Sequence, residues 1–186
     1  MAAGSTIRFA SSLLIGAAIG VASAHYMAQP SNPLVNERHG QWYAWPASGD
    51  PRSSPYSQAQ FLLDGHLPES FTEVTTLYRS HDDNGGRISQ SCVYLVSMKR
   101  PDARRWTLSL VDQDGTASSL VTQDDVISVG GNVDVRLAGV PQPGNWLAFA
   151  GRDPDRLVLR LYDGEDRASW AEIDAGLPRV SRESCS

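Results

Sequence analysis

ISQSCVYLVSM, residues 88–98, is the stretch on which the fold turns, because its side chains alternate: Cys92, Tyr94, Val96 and Met98 point one way. That period of two is the mark of a β-strand with one face in a core. Working outward, FTEVTTLYRS (71–80) is also β-rich, and HDDNGGR (81–87) between the two runs is a polar, glycine-bearing turn. The pattern predicts an antiparallel hairpin. Downstream, RRWTLSLVD (104–112) alternates Trp106, Leu108 and Leu110 against Thr107, Ser109 and Val111, with QDGT (113–116) as the next turn. Further strands are expected at 118–121, 126–129, 133–137, 146–149 and 156–162, separated by GGN, PQPG and GRDPD. Turn signals recurring at such short intervals predict a mainly β domain, an antiparallel sandwich or jelly roll.

Upstream the character changes. SSPYSQAQFLLDG (53–65) predicts a short helix, with Ser54 as cap, Pro55 in the first helical position, Tyr56, Ala59 and Leu63 on one face, and Gly65 as the stop. Residues 29–41, rich in Pro, Ser, Gly and Asn, read as a linker, and Trp42, Tyr43 and Trp45 as rings that pack onto the start of the domain. Residues 42–186 then form one β-sandwich domain, a size that buries a core of its own.

Residues 1–28 are a targeting segment. Arg8 precedes an uncharged run from Phe9 to Met27, broken only by small polar residues and His25. Nineteen helical residues span about 28 Å, enough for a hydrocarbon core. Two outcomes fit: a single-pass membrane helix with Tyr26 at the interface, or a signal peptide cleaved after the A-x-A of Ala22 and Ala24. In both, the positive charge before the apolar run keeps that end inside and sends the folded domain out of the cytoplasm. There, Cys92 and Cys185, the chain's two cysteines, are expected to form a disulfide. Gly16 and Gly20 make a G-x-x-x-G, a spacing common by chance in so small-residue-rich a segment.

The charge balance, 16 basic against 21 acidic residues, with the basic ones dispersed, argues against nucleic acid as a partner. The usual catalytic signatures are absent, so no catalytic residue is nominated: there is no G-x-S-x-G, H-E-x-x-H, Walker loop or G-x-G-x-x-G. No metal and no cofactor is expected either. Histidines 25, 39, 66 and 81 are scattered, and the acidic turns at Asp82, Asp83 and Asn84 and at Asp112 and Asp114 lack EF-hand spacing. They read as turn chemistry. Lys99, Arg100, Arg104 and Arg105 in KRPDARR read as a solvated hairpin tip.

PGNWLAFAGRDPDRLVLRLYDGE (143–165), preceded by SCVYLV and ARRWTLSLVDQDG and followed by LPRV and the tail cysteine, resembles the bacterial family known as domain of unknown function 1214. The likeness runs from about Trp42 to Cys185 and is most specific at Asn145, Trp146 and Leu147 and at Leu159, Arg160, Leu161, Tyr162 and Asp163. It departs at Gln58 and at Arg105 with Trp106. The resemblance implies a mostly β, sandwich-like, exported domain and a companion protein of the family known as domain of unknown function 1254, and it brings no established reaction. Asn145, Trp146, Leu161 and Asp163 would be structural. Arg160, an arginine in an apolar strand, should either snorkel or find an acidic partner such as Asp112 or Asp163.

Two functions follow as expectations. One is a membrane-anchored periplasmic interaction module of the cell envelope. The other is an envelope protein, a binder or an enzyme of unknown reaction, that takes a sugar or carboxylate on a face formed by Trp106, Arg160 and Tyr162.

Overall fold

The computed structural model describes residues 2–27, 32, 36–45, 48–63, 69–70, 72–112, 115–162 and 170–185. Gly65, His66, Asp114, Asp163 and the side chain of Leu63 lie outside the described residues.

The fold is mainly β. One sheet has six strands in the order β1 (Glu37–His39), β2 (Trp42–Ala44), β3 (Val74–Arg79), β10 (Arg156–Tyr162), β5 (Arg105–Val111) and β6 (Ala117–Thr122), all antiparallel neighbours. The other runs β11 (Arg179–Cys185), β4 (Cys92–Lys99), β8 (Asn132–Ala138) and β7 (Ser128–Val129), also antiparallel, and β9 (Asn145–Ala148) adds to β8 in parallel. Helix α1 (Ala2–Met27) precedes the domain, while α2 (Pro55–Leu63) and α3 (Trp170–Gly176) lie within it.

The inward faces of the two sheets make one core, the arrangement of a sandwich. Leu77, Trp106, Leu108, Leu110, Leu157, Leu159 and Leu161 from the first meet Tyr94, Val96, Met98, Val133, Val135, Leu137, Leu147 and Val180 from the second. In β4 the inward residues are the expected Cys92, Tyr94, Val96 and Met98.

The expected hairpin between 71–80 and 88–98 is not formed. Strand β3 pairs with β2 and β10, while β4 pairs with β11 and β8, so HDDNGGR carries the chain from one sheet to the other. KRPDARR does the same between β4 and β5, and is therefore a crossover and not a hairpin tip. Both flanking strands bury one side, and turn residues satisfy a corner between sheets as well as a reversal within one. True hairpins are β1–β2, β5–β6 and β7–β8. The last turns on Gly130 and Gly131, whose φ values of 59° and 79° supply the left-handed pair of a two-residue loop.

Smaller departures have local causes. Glu37–His39, within the stretch read as linker, forms β1 on β2, and His39 Nδ1 lies 2.7 Å from Asp174 of α3. Ser54 caps α2, accepting from the Tyr56 N–H at 3.3 Å, but the buried face is Ser57, Gln60 and Phe61, with Tyr56 exposed. Trp45 sets that face by meeting Phe61 edge-on at 6.1 Å. The neighbouring rings pack as expected: Tyr43 stacks on Tyr78 at 5.5 Å, and the Trp42 indole N–H donates to the Pro178 carbonyl at 2.8 Å.

Candidate functional site

Strand β10 positions the residues singled out for ligand binding, and its pleat separates them. Arg160 and Tyr162 stand on the outer face of the six-stranded sheet. Trp106, directly across from Leu161, points inward and is fully buried in the core. The three do not share a surface, which corrects the expected aromatic and arginine face. In a strand that alternates, Trp106 belongs with Leu108 and Leu110. Its indole N–H has no hydrogen-bond partner among the described residues.

Among the described residues the acid that meets Arg160 is Glu69 and not Asp112, while Asp163 lies outside them. The Arg160 Nε donates to Glu69 Oε2 at 3.2 Å, with the guanidinium one quarter exposed. Asp112 is taken by Arg152 at 3.0 Å. Glu69 is held in place by a close backbone approach: Gly49 has φ 75°, and a Cβ there would lie 2.7 Å from the Glu69 carbonyl oxygen. Tyr162 borders an open groove of about 780 Å³ with Ser70, Thr72, Glu73, Val74 and Arg104. Next to Arg160 on the same face, the half-buried Tyr78 phenol is pushed up to about 12 by loss of water, with the Arg160 and Arg156 charges pulling the other way. It stays neutral at any physiological pH. Arg160 and Tyr78 are not among the groove's lining residues, where the one arginine is Arg104. Arg160, already neutralised by Glu69, makes a weak carboxylate trap.

The sequence reading missed a more deeply buried arginine. Arg79, at the inner end of β3, is 2% exposed and lies over the Trp42 ring at 5.8 Å. It donates to the His81 and Pro178 carbonyls and, at 2.6 Å, to Asp83 Oδ1. Asp83 also accepts from the Val180 N–H at 3.2 Å, so one carboxylate joins β3 to β11. Beside it, Asp82 Oδ1 accepts from the N–H groups of Asn84 and Gly86, and Oδ2 accepts from Arg182 Nε at 2.9 Å. Burial works against the charge on both carboxyls. The Gly86 N–H and Arg182 for Asp82, and Arg79 and the Val180 N–H for Asp83, outweigh it and hold both below the usual carboxylate range. The acidic turn thus serves the fold, bonding its own backbone and the last strand. Among the described residues no cluster of three His, Cys, Asp or Glu side chains is placed to hold a metal.

Of the remaining motif residues, Asn145 and Trp146 bond backbone and Leu161 packs in the core. Asn145 Oδ1 accepts from the Ile127 N–H at 2.6 Å while its Nδ2 donates to the Ile127 and Asp134 carbonyls. The Trp146 indole N–H donates to the Ala138 carbonyl at 3.1 Å. Cys92 and Cys185 face each other in register across β4 and β11, their sulfurs 1.98 Å apart.

Two solved structures resemble this fold. An uncharacterised protein from Burkholderia cenocepacia aligns over 61% of this chain and 30% of its own at 16% identity, with a TM-score of 0.48. A protein from Vibrio parahaemolyticus aligns over 70% of this chain and 36% of its own at 13% identity, with a TM-score of 0.53. At that identity the second likeness is one of fold alone. The chain spans about a third of the length of each. No curated protein matches it. The family model described as "Protein of unknown function (DUF1214)" matches residues 73–166, from the start of β3 to just beyond β10 and just over half of the chain; the chain belongs to that family.

Proposed function

We propose that the protein is a membrane-anchored module of the bacterial cell envelope, its β-sandwich held in the periplasm to bind a protein partner. The observation that carries the reading is α1. Arg8–Met27 is a 20-residue apolar helix with mean hydropathy 1.4, and none of it is buried against the domain. Leu13, Leu14, Ile15 and Ile19 are each at least 60% exposed, an arrangement that water penalises and a bilayer rewards. The joined cysteines favour the oxidising side of that membrane.

A partner surface has candidates at the sheet edge. Strand β7 is short and terminal in its sheet, and Ile127 and Val129 on and beside it are 67% and 75% exposed. An open edge with flanking aliphatic groups suits strand addition by another protein. A companion of the domain of unknown function 1254 family is the first partner to seek.

The test uses the full chain in its native membrane. Alkaline carbonate should leave it in the pellet, and protease added to spheroplasts should remove the domain. Crosslinking before gentle extraction should then recover a stoichiometric envelope protein, with recovery lost in Ile127→Asp with Val129→Asp. Release into the soluble fraction with cleavage after Ala24 would defeat the anchor, and a chain recovered alone would defeat the partner.

A further inference from the structure

The sandwich has an apolar cavity at one end. Strand β10 supplies Leu159 and Leu161 as its floor, α3 and the residue after it supply Ile173, Ala175 and Leu177, and the β4–β5 crossover supplies Pro101 and Ala103. Its volume is about 310 Å³, at the low end of small-ligand pockets. Leu159, Leu161 and Ile173 are 2%, 6% and 5% exposed, so the floor lies within the core itself.

The rim has a different chemistry. Lys99 and Arg100 border the cavity, and both are exposed. Among the described residues neither has an ion-pair partner, although ten other ion pairs involve an arginine or a histidine. Asp102 is the one acid among the lining residues. Backbone geometry fixes the rim, since the Arg100 N–H donates to the Gly131 carbonyl of the β7–β8 turn at 2.8 Å.

An apolar interior bordered by two exposed cations discriminates among ligands. A sugar would leave its hydroxyls unsatisfied against leucines, and a small carboxylate would leave the interior empty. An alkyl chain fills the interior and brings an anionic head to Lys99 and Arg100.

We infer that this cavity binds a single alkyl chain carrying an anionic head, with the chain between Leu159, Leu161 and Ile173 and the head against Lys99 and Arg100. The inference rests on the sandwich and its crossover, and it holds whether or not α1 stays in the membrane.

The test is photocrosslinking of the full chain in phosphatidylcholine nanodiscs. One arm adds a free medium-chain fatty acid with a diazirine near its tail; the other builds the same tagged chain into phosphatidylglycerol in the disc. Label on peptides containing 99–103, 159–161 or 173–177, competed by untagged acid, is the expected result. The arm that gives it identifies the source as free acid or membrane lipid. Lys99→Glu with Arg100→Glu, both at exposed positions, should weaken labelling about tenfold, the equivalent of one lost charged contact. Ala103→Trp should abolish it by filling the cavity, with a melting curve to verify the fold. Label confined to α1, label spread over the surface, or competition by the uncharged alcohol equal to that by the acid would each overturn the inference.

Discussion

Replacing both cysteines by alanine, Cys92→Ala with Cys185→Ala, tests the link between β4 and β11 quantitatively. The bond closes a loop with a sequence separation of 93 residues. Removing that constraint returns about 4.6 kcal/mol of chain entropy to the unfolded state at 25 °C. At about 2–4 °C per kcal/mol for a domain of this size, the melting temperature should fall by roughly 9–18 °C. Alanine is the right replacement because Cys92 is buried in the core and a serine hydroxyl there would add a cost of its own. The native state loses little else: Val180 stays buried and the Asp83 carboxylate still binds its N–H. The assay is thermal unfolding of the full chain in detergent, followed by circular dichroism, with and without reductant. The variant should melt at one temperature under both conditions, and the parent should reach it only when reduced. A shift below about 3 °C would show that the loop is already constrained in the unfolded chain, and the argument would fail.

Other substitutions probe the site residues. Arg160→Ala should lower stability by less than about 1 kcal/mol in urea unfolding, because its pair with Glu69 is partly exposed; a loss of several would show a buried role. Asn145→Ala removes both sides of the link to Ile127 and should cost about 1–3 kcal/mol by the same measurement. Trp106→Phe should cost less than Trp106→Ala, for which about 3–5 kcal/mol is expected, since the indole N–H has no partner to lose; equal losses would mean that it has one. Asp82 and Asp83 are depressed in the folded state, so their contribution is complete above the ordinary value near 3.8 and disappears as pH falls through the folded values. Acid unfolding of Asp82→Asn should accordingly lose part of the parent's dependence below the ordinary value near 3.8, and an unchanged profile would remove Asp82 from the acid transition.

Strand positions were legible because alternation is a direct imprint of burial: Arg156–Tyr162 forms at the expected limits, and Cys92 to Met98 bury the expected side chains. Pairing was not legible, because a polar turn signals a change of direction and says nothing about which sheet receives the next strand. Strand β11 was missed for a related reason. As an edge it buries only Val180, so RVSRESC carries no period. In the candidate site, alternation puts Arg160 and Tyr162 on one face and, by the same period, Trp106 with Leu108 and Leu110 in the core. Arg79 could not be found that way, since its acid lies in the following turn and its carbonyl partner, on Pro178, is 99 residues distant.

The sheet-switching corners have a consequence for how the chain assembles. Neither neighbour of β4 is adjacent in sequence: β8 begins at Asn132 and β11 at Arg179, so the strand that organises the second sheet must wait for partners made much later. Such non-local pairing makes for slow folding. Through that interval β4 presents an unpaired edge and Cys92 a free thiol, both exposed to any neighbouring chain as the protein emerges. Assembly of this domain should therefore depend on holdase and thiol-oxidising helpers more than its modest size would imply.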